Sequence, residues 1–363
     1  CSSDLPVRIT SKCASAETPL VITVMNDLKI TPSCGGKYGY FIMGNDHTIF
    51  EGNDKKIMIS QVAEYRGLIQ NFRSNIGTDN ACCIGKSNVT IQNLGIVVDP
   101  DDKITNLEEK GGWIGQMYFG VHAINNIIIN CYSTGNISGD YTGGIFGISA
   151  GAYSGNVSVI NCYSTGNISG NCAGGIFGRQ AGSYSGNASA INCYSTGEIS
   201  NYGTGGIFGS EAGSDSGNVS VVDSYSTGDI NGQHSGGIFG GGAGQSGNAI
   251  ATNCYSTGDI NGSPSGGIFG CGAGIAEGKA IATNCYSKGD INGRWSGGIF
   301  GLNTGVDSGN ATATNCYSTG EINGRWSGGI FGSYAGKRSG NISVTNCYSM
   351  GNINAYFSGG IFG

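Results

Sequence analysis

The chain has 363 residues, with 69 Gly, 5 Pro and a charged fraction of 12%, a composition unusual for a compact α/β enzyme. Its hydrophobic fraction of 38% is too high for a disordered chain, and its Gly residues lack the three-residue period of collagen. A net charge of −6 without a block of Lys or Arg argues against a nucleic-acid partner, and the lack of an apolar run of about 18 residues argues against a membrane-spanning helix.

The first 120 residues repeat less regularly than the rest of the chain. Residues 38–53 and 88–98 alternate apolar and polar residues between Gly positions, a pattern typical of short strands. Residues 111–120, with the sequence GGWIGQMYFG, are a degenerate form of a block that recurs later. We therefore predict an N-terminal cap over residues 1–30 and divergent coils over residues 31–120.

Residues 121–363 repeat one unit about every 31 residues. A fixed period in this range indicates a solenoid, a propeller or an array, and propeller blades need about 40 residues or more. Alternating apolar residues between Gly corners favour strands over helices. The sequence therefore predicts an all-β, right-handed parallel β-helix (a β-solenoid) with about 31 residues per coil, in which equivalent residues stack in ladders. The Ile of the recurring Gly-Gly-Ile-Phe-Gly motif is found at Ile145, Ile176, Ile207, Ile238, Ile268, Ile299, Ile330 and Ile361.

The recurring Gly-Gly-Ile-Phe-Gly block, together with the Cys-Tyr-Ser-Thr-Gly block, resembles the GLUG-type repeat, whose usual form is Gly-Gly-Leu-Val-Gly. The resemblance covers roughly residues 111–363, and residues 40–53 are similar to the N-terminal coils of right-handed parallel β-helix proteins. It implies a β-helix of a microbial or large-virus surface protein. It implies no catalytic residue, because the shared motif is a packing unit.

Seven of the 14 cysteines share one column of the repeat, in which Ser224 replaces the eighth. Exchange of Cys with Ser favours small core residues, provided that the preceding Asn does not mark a bulge. Disulfides between coils would need better directed Cβ atoms, and a metal cluster would need CxxC spacing or His partners. The column is Cys131, Cys162, Cys193, Cys254, Cys285, Cys316 and Cys347. The disulfide candidates, with open connectivity, are Cys1, Cys13, Cys34, Cys82, Cys83, Cys172 and Cys271.

An acidic column is the main candidate for chemistry. We interpret it as a solvated edge, with a divalent-cation stripe or catalytic carboxylates as alternatives. The three His residues lack partners at motif spacing, and Ser149 matches the nucleophile-elbow pattern in only one coil, so that match is accidental. We therefore predict no enzyme activity, no catalytic residue, no metal site and no cofactor. The acidic column is Glu198, Asp229, Asp259, Asp290 and Glu321, and the His residues are His47, His122 and His234.

Aromatic residues form two columns of eight, one of Tyr and one of Phe, and we expect the Phe column to be core. The sequence GRWSGG occurs twice and places Arg beside Trp. Corner packing, a protein interface and glycan contact are the three interpretations of these residues. The interface or glycan-contact candidates are Arg294, Trp295, Arg325, Trp326, Tyr356 and Phe357.

Nine Asn-x-Ser/Thr sequons are candidate N-glycosylation sites. Their number alone is weak support in a chain so rich in Asn, Ser and Thr. Some occupy equivalent positions, which would align glycans along one edge if the chain passes through a eukaryotic secretory pathway. The sequons begin at Asn88, Asn136, Asn156, Asn167, Asn187, Asn218, Asn261, Asn310 and Asn341.

The two ends of the chain complete the functional prediction. Cys1 rather than Met at the start fits a mature secreted chain, and Gly363 ends the chain inside a Gly-Gly-Ile-Phe-Gly block without a cap. An uncovered coil can dock head to tail, which produces a fibre. We predict a secreted structural β-solenoid that forms an extracellular or virion-surface fibre by end-to-end self-association. The alternatives are an adhesin or glycan-binding surface module, a polysaccharide-degrading β-helix enzyme, and an ice-binding surface built on columns such as Thr312 and Thr314.

Overall fold

The computed structural model describes residues 7–9, 14–32, 40–71, 84–99 and 101–363. Over these residues the chain is all-β and contains no α-helix. It forms a parallel β-solenoid of about 10 turns with about 31 residues per turn, which confirms the fold prediction.

The N-terminal part contributes seven strands. The first, fourth and sixth form a small parallel sheet, and the others belong to a 20-stranded sheet that continues through the regular coils. Two of the strands within residues 1–30 pair in parallel with the fifth strand, so this segment supplies part of the sheet. The strands are β1 (Val7–Ile9), β2 (Leu20–Thr23), β3 (Leu28–Ile30), β4 (Phe41–Met43), β5 (Thr48–Ile59), β6 (Ile69–Gln70) and β7 (Val89–Val98).

Each regular coil contributes one strand of four or five residues and one strand of two. The longer strands are β8 (Asn126–Ile129), β10 (Asn156–Ile160), β12 (Asn187–Ile191), β14 (Asn218–Val222), β16 (Asn248–Thr252), β18 (Lys279–Thr283), β20 (Asn310–Thr314) and β22 (Asn341–Thr345). The shorter strands are β9 (Tyr132–Ser133), β11 (Tyr163–Ser164), β13 (Tyr194–Ser195), β15 (Tyr225–Ser226), β17 (Tyr255–Ser256), β19 (Tyr286–Ser287), β21 (Tyr317–Ser318) and β23 (Tyr348–Ser349).

Equivalent residues of neighbouring coils lie directly over one another. β16 pairs with β18 so that Ala249 faces Ala280, and the backbone N–H of Ile238 donates to the carbonyl oxygen of Ile268 at 3.1 Å. Further parallel bridges join each motif Phe to the next, for example Phe239 to Phe269. β7 pairs with both β8 and β9, so the irregular coils continue into the regular ones without a break in pairing.

The core consists of stacked columns rather than of a centre within each coil. Apolar residues of the longer strands alternate inward, and the Phe side chains from Phe146 to Phe331 have no exposed surface. Successive Phe rings stack with centroids 4.5–5.4 Å apart. The prediction that Phe forms the core column is therefore confirmed, while the Tyr column, from Tyr132 to Tyr348, remains partly exposed outside.

The second Gly of each motif allows a close approach between facing walls of the solenoid. A Cβ atom at Gly267 would lie 2.6 Å from the Ser287 hydroxyl and would overlap the carbonyl oxygen of Gly298 in the next coil. No side chain fits there, which explains why this Gly recurs in every regular coil.

Candidate functional site

The Cys column faces inward because the Asn before each Cys turns a corner. Asn253 and Asn284 have φ of 54° and 53°, in the left-handed region that Asn tolerates better than most residues. Their exposed amides form a ladder, in which Asn284 Nδ2 donates to Asn253 Oδ1 at 3.0 Å. The Asn thus resets the inward–outward alternation of the strand, and the following Cys254 is fully buried.

The buried thiols are bonded to the backbone, as small core residues should be. The Cys254 thiol donates to the carbonyl oxygen of Thr252 at 3.2 Å. Ser224 makes the same contact with Val222 at 2.8 Å, which explains why Ser replaces Cys in that coil. A hydrogen bond with Cys254, together with burial, raises the pKa of the Cys285 thiol to about 12. The prediction of small core residues is confirmed for this column.

Two of the seven separate cysteines proposed as disulfide candidates lie in the part of the chain that the structure describes, and neither is in a disulfide. Cys172 and Cys271 are free thiols, and burial raises the pKa of Cys271 to about 12. The other five candidates, Cys1, Cys13, Cys34, Cys82 and Cys83, lie outside the described residues. Among the described residues, no group of three or more His, Cys, Asp or Glu side chains is placed to hold a metal ion.

The acidic column bonds to the backbone of the solenoid. Asp229 Oδ1 accepts the backbone N–H of Asp259 at 3.0 Å, and Asp259 Oδ1 accepts that of Asp290 at 2.9 Å. Each carboxylate is thus held by a donor from the next coil, which offsets part of the repulsion between stacked charges. The side chains are exposed or half-buried, as expected of a solvated edge.

The His residues and Ser149 occupy turns. The His122 ring lies 5.7 Å from the ring of Tyr153, and the His234 ring lies 4.7 Å from that of Tyr202. Burial lowers the pKa of His234. His47 is half-buried, and Ser149 is only 2% exposed. A hydroxyl so covered is poorly placed to attack a substrate.

One corner of the solenoid shows the widest range of side-chain types between coils. We define the variable corner as the positions of Arg294, Trp295, Leu302, Asn303, Val306 and Asp307, with their equivalents in other coils. The Trp295 column alone contains Tyr141, Cys172, Gly203, His234, Pro264, Trp295, Trp326 and Phe357. Because the other columns vary less, this corner marks the surface where coils differ most in chemistry.

The parts of the variable corner contact one another in space. The guanidinium of Arg179 lies 5.1 Å from the centre of the Tyr141 ring in the preceding coil, and its Nη2 lies 2.7 Å from Glu211 in the following coil. The Ser333 hydroxyl donates to the carbonyl oxygen of Trp326 at 2.7 Å. The variable positions therefore form one continuous surface along the axis.

The six interface or glycan-contact candidates form a ladder on this corner. Trp295 stacks on Trp326 at 5.7 Å, and Trp326 stacks on Phe357 at 5.8 Å. The Arg294 guanidinium lies 4.6 Å from the Trp295 ring and 5.1 Å from that of Trp326, and Arg325 lies 4.6 Å from Trp326. Tyr356 is 79% exposed.

This ladder has a consequence for binding. The faces of stacked indoles point along the solenoid axis, where the neighbouring coil covers them. Trp295 and Trp326 therefore present ring edges outward, and the exposed groups beside them are the guanidinium groups of Arg294 and Arg325. The four ion pairs found among the described residues include neither of these two Arg side chains.

A shallow pocket adjoins the ladder. Its volume is about 300 Å³, and its walls come from two successive coils of the variable corner. Tyr334, 56% exposed, carries the Lys337 ammonium 4.5 Å from its ring centre, and Arg338 lies 3.5 Å from Asp307. The lining residues are Leu302, Asn303, Val306, Asp307, Tyr334, Lys337 and Arg338.

Charge is unevenly distributed along the regular coils. Residues 121–278 contain one Arg and eight acidic residues, whereas residues 279–363 contain six Lys or Arg and three acidic residues. Four of these six cations, Arg294, Arg325, Lys337 and Arg338, lie on the variable corner. A chain with a net charge of −6 thus carries a basic surface at the Trp ladder and the pocket.

The nine sequons lie on three kinds of position: the start of the longer strands, the acidic column, and the position after the Ile that follows that column. Asn156, Asn187 and Asn218 stack in register at the start of successive strands, as do Asn310 and Asn341. Asn261 is bonded on both sides, because its Nδ2 donates to Asn231 and its Oδ1 accepts from Asn292, each at 2.8 Å. Glycosylation of any of these residues stays a prediction.

Comparison with protein-family models finds no match, and comparisons with curated proteins and with solved structures find none either. The resemblance to GLUG-type repeats therefore stays a prediction based on the residues of the motif. In the part of the chain that the structure describes, no helix has the length and hydropathy needed to cross a membrane.

Proposed function

We propose that the protein is a non-catalytic structural β-solenoid of an extracellular or virion surface, which assembles end to end into a fibre. The observation that supports this proposal is the equivalence of the coils, since each pairs with the next through the same parallel register. A coil of one chain therefore has the donors, acceptors and apolar columns needed to pair with a coil of another chain.

Negative-stain electron microscopy over a concentration series tests the fibre. We expect filaments whose length grows with protein concentration. Phe362→Asp should abolish them, because Phe362 belongs to the inward Phe column that a coil of a second chain would have to continue. Met350→Asp is the matched control, since Met350 belongs to the outward column that contains Lys288. Dispersed monomers at all concentrations would refute the fibre.

A second candidate function is that of a surface-binding module, such as an adhesin. The variable corner favours it, because a constant scaffold with one variable, charged and aromatic surface is suited to recognition. A protein rod and a binding module are compatible in one molecule. Binding measured for the monomeric chain would support the module whether or not fibres form.

We assign no catalysis to the protein. In most glycoside hydrolases, two carboxylates flank the bond that is cleaved. Here Asp259 accepts a backbone N–H and lies in a ladder of equivalent carboxylates. An assay of polysaccharide cleavage with Asp259→Asn as its control tests this point, and cleavage that depends on Asp259 would overturn it.

A further inference from the structure

We propose that the basic part of the variable corner, formed by Arg294, Arg325, Tyr334, Lys337 and Arg338, binds a carboxylate-bearing oligosaccharide. The inference rests on the second candidate function, that of a surface-binding module, and specifies its ligand. It combines a pocket, a set of ordered cations and a distribution of charge that the structural role of the solenoid does not require.

The cations are held in place before any ligand arrives. The planar guanidinium groups of Arg294 and Arg325 lie against indole rings, and the Lys337 ammonium lies against the Tyr334 ring. Cation–π contacts of this kind fix a side chain while leaving its N–H donors available. A guanidinium so oriented matches the two oxygens of a carboxylate. Ordering in advance lowers the entropy lost on binding.

The pocket suits a sugar better than a phosphate chain. Its walls combine apolar surface from Leu302 and Val306 with the amide of Asn303 and the carboxylate of Asp307. Sugar hydroxyls need acceptors as well as donors, and Asn303 and Asp307 supply acceptors. A polyphosphate has no hydroxyl donors for these acceptors, whereas a sugar ring has several.

The ring of Tyr334 gives the pocket an aromatic surface. The indole faces of the ladder are covered by neighbouring coils, so a sugar ring cannot stack on Trp295. Tyr334 lines the pocket beside the two cations Lys337 and Arg338. We therefore place the sugar ring at Tyr334 and its carboxylates at the Arg and Lys side chains.

A second copy of the chain is the competing occupant. The acidic surface of residues 121–278 is complementary in charge to the basic corner. However, several of its eight acidic residues already have donors, since Glu211 is paired with Arg179 at 2.7 Å and Asp229 and Asp259 each accept a backbone N–H from the next coil. We therefore propose the oligosaccharide as the ligand, and self-association becomes an outcome of the test.

Isothermal titration calorimetry with the 363-residue chain tests the proposal. The probe is a galacturonic acid oligomer, and the control ligand is a neutral galactose oligomer of the same length. We expect the acidic oligomer to bind at least about ten times more tightly. Tyr334→Ala and the triple variant R325Q/K337Q/R338Q should each weaken its binding about tenfold or more. Lys288→Gln, which removes a cation resting 5.4 Å from the Tyr286 ring on another face, is the matched control and should bind normally.

Several results would overturn the proposal. If tripolyphosphate binds as tightly as the acidic oligomer, and if Tyr334→Ala does not weaken its binding, the surface attracts anions by charge alone. A concentration-dependent dimer in analytical ultracentrifugation, lost in the triple variant, would assign the surface to a second copy. If the neutral oligomer binds tightly and Tyr334→Ala abolishes this binding, the ligand is not acidic, but the protein is still a surface-binding module. Failure to bind a broad glycan panel would contradict the glycan-binding form of that function as well.

Discussion

The Phe ladder allows a quantitative test of whether burial is shared between coils. Phe269 has no exposed surface, and its ring lies 4.8 Å from both Phe239 and Phe300. Aromatic pairs contribute about 0.5–1.5 kcal/mol beyond the burial of their area. Phe269→Leu keeps most of the volume but loses two such contacts, so we expect the free energy of unfolding to fall by about 1–3 kcal/mol.

A double-mutant cycle isolates the contribution of the neighbouring coil. Leu substitutions at Phe239 and Phe269 remove one shared ring contact, so we expect a coupling of about 0.5–1.5 kcal/mol. Phe208 and Phe269 are separated by the ring of Phe239, and their Leu substitutions should add to within about 0.5 kcal/mol.

Urea unfolding followed by both circular dichroism and Trp fluorescence provides the free energies. The comparison is valid where the two transitions coincide, because solenoids can lose coils in stages. If the coupling free energy is the same for the near pair (Phe239 and Phe269) and the distant pair (Phe208 and Phe269), or is zero for both, burial is not shared between neighbouring coils.

Three further predictions concern single columns. Gly267→Ala should destabilise the chain by more than about 3 kcal/mol in urea unfolding, because its Cβ would overlap the carbonyl oxygen of Gly298, and near-normal stability would contradict this packing. Cys285 should resist modification by iodoacetamide in the native chain even at pH 10, because little of the reactive thiolate forms below the thiol pKa of about 12. Rapid modification seen by mass spectrometry would contradict the burial of Cys285. Ser256→Ala should raise the free energy of unfolding by about 1 kcal/mol, because the Ser256 hydroxyl is buried without a hydrogen-bond partner. Ser265→Ala should lower it by a similar amount, because the Ser265 hydroxyl donates to a backbone carbonyl at 2.7 Å. If Ser265→Ala proves more stable than Ser256→Ala in urea unfolding, these hydrogen-bond assignments are wrong.

The architecture could be predicted because the sequence itself repeats. The spacing between Ile238 and Ile268 already implied that these residues stack, and alternation in the strands implied which residues point inward. The direction of the Cys column could not be settled in this way. It depends on the left-handed backbone conformation of residues such as Asn253. The turn at this Asn shifts the inward–outward alternation of side chains, and the alternation seen in the strand before it does not reveal that shift.

The candidate site was harder to predict because it lies where the repeat fails. The Arg-Trp pairs stood out because they occur twice, whereas the pocket beside them is built from residues that do not recur, such as Leu302 and Tyr334. A comparison of variation column by column within this one chain would have found the corner. The covered faces of Trp295 and Trp326 could be recognised only from the stacking distances between coils.

The distance between outward residues separated by a known number of coils tests the stacking most directly. Thr165 and Met350 are six coils apart, and Thr165 and Lys288 are four, as the register of the short strands shows. Spin labels introduced there through unnatural amino acids, which avoids labelling native thiols, should show backbone separations of about 29 Å and about 19 Å in pulsed electron paramagnetic resonance, at about 4.8 Å per coil. Broad distributions, or distances that do not differ by about 10 Å, would contradict a solenoid with one rung per coil.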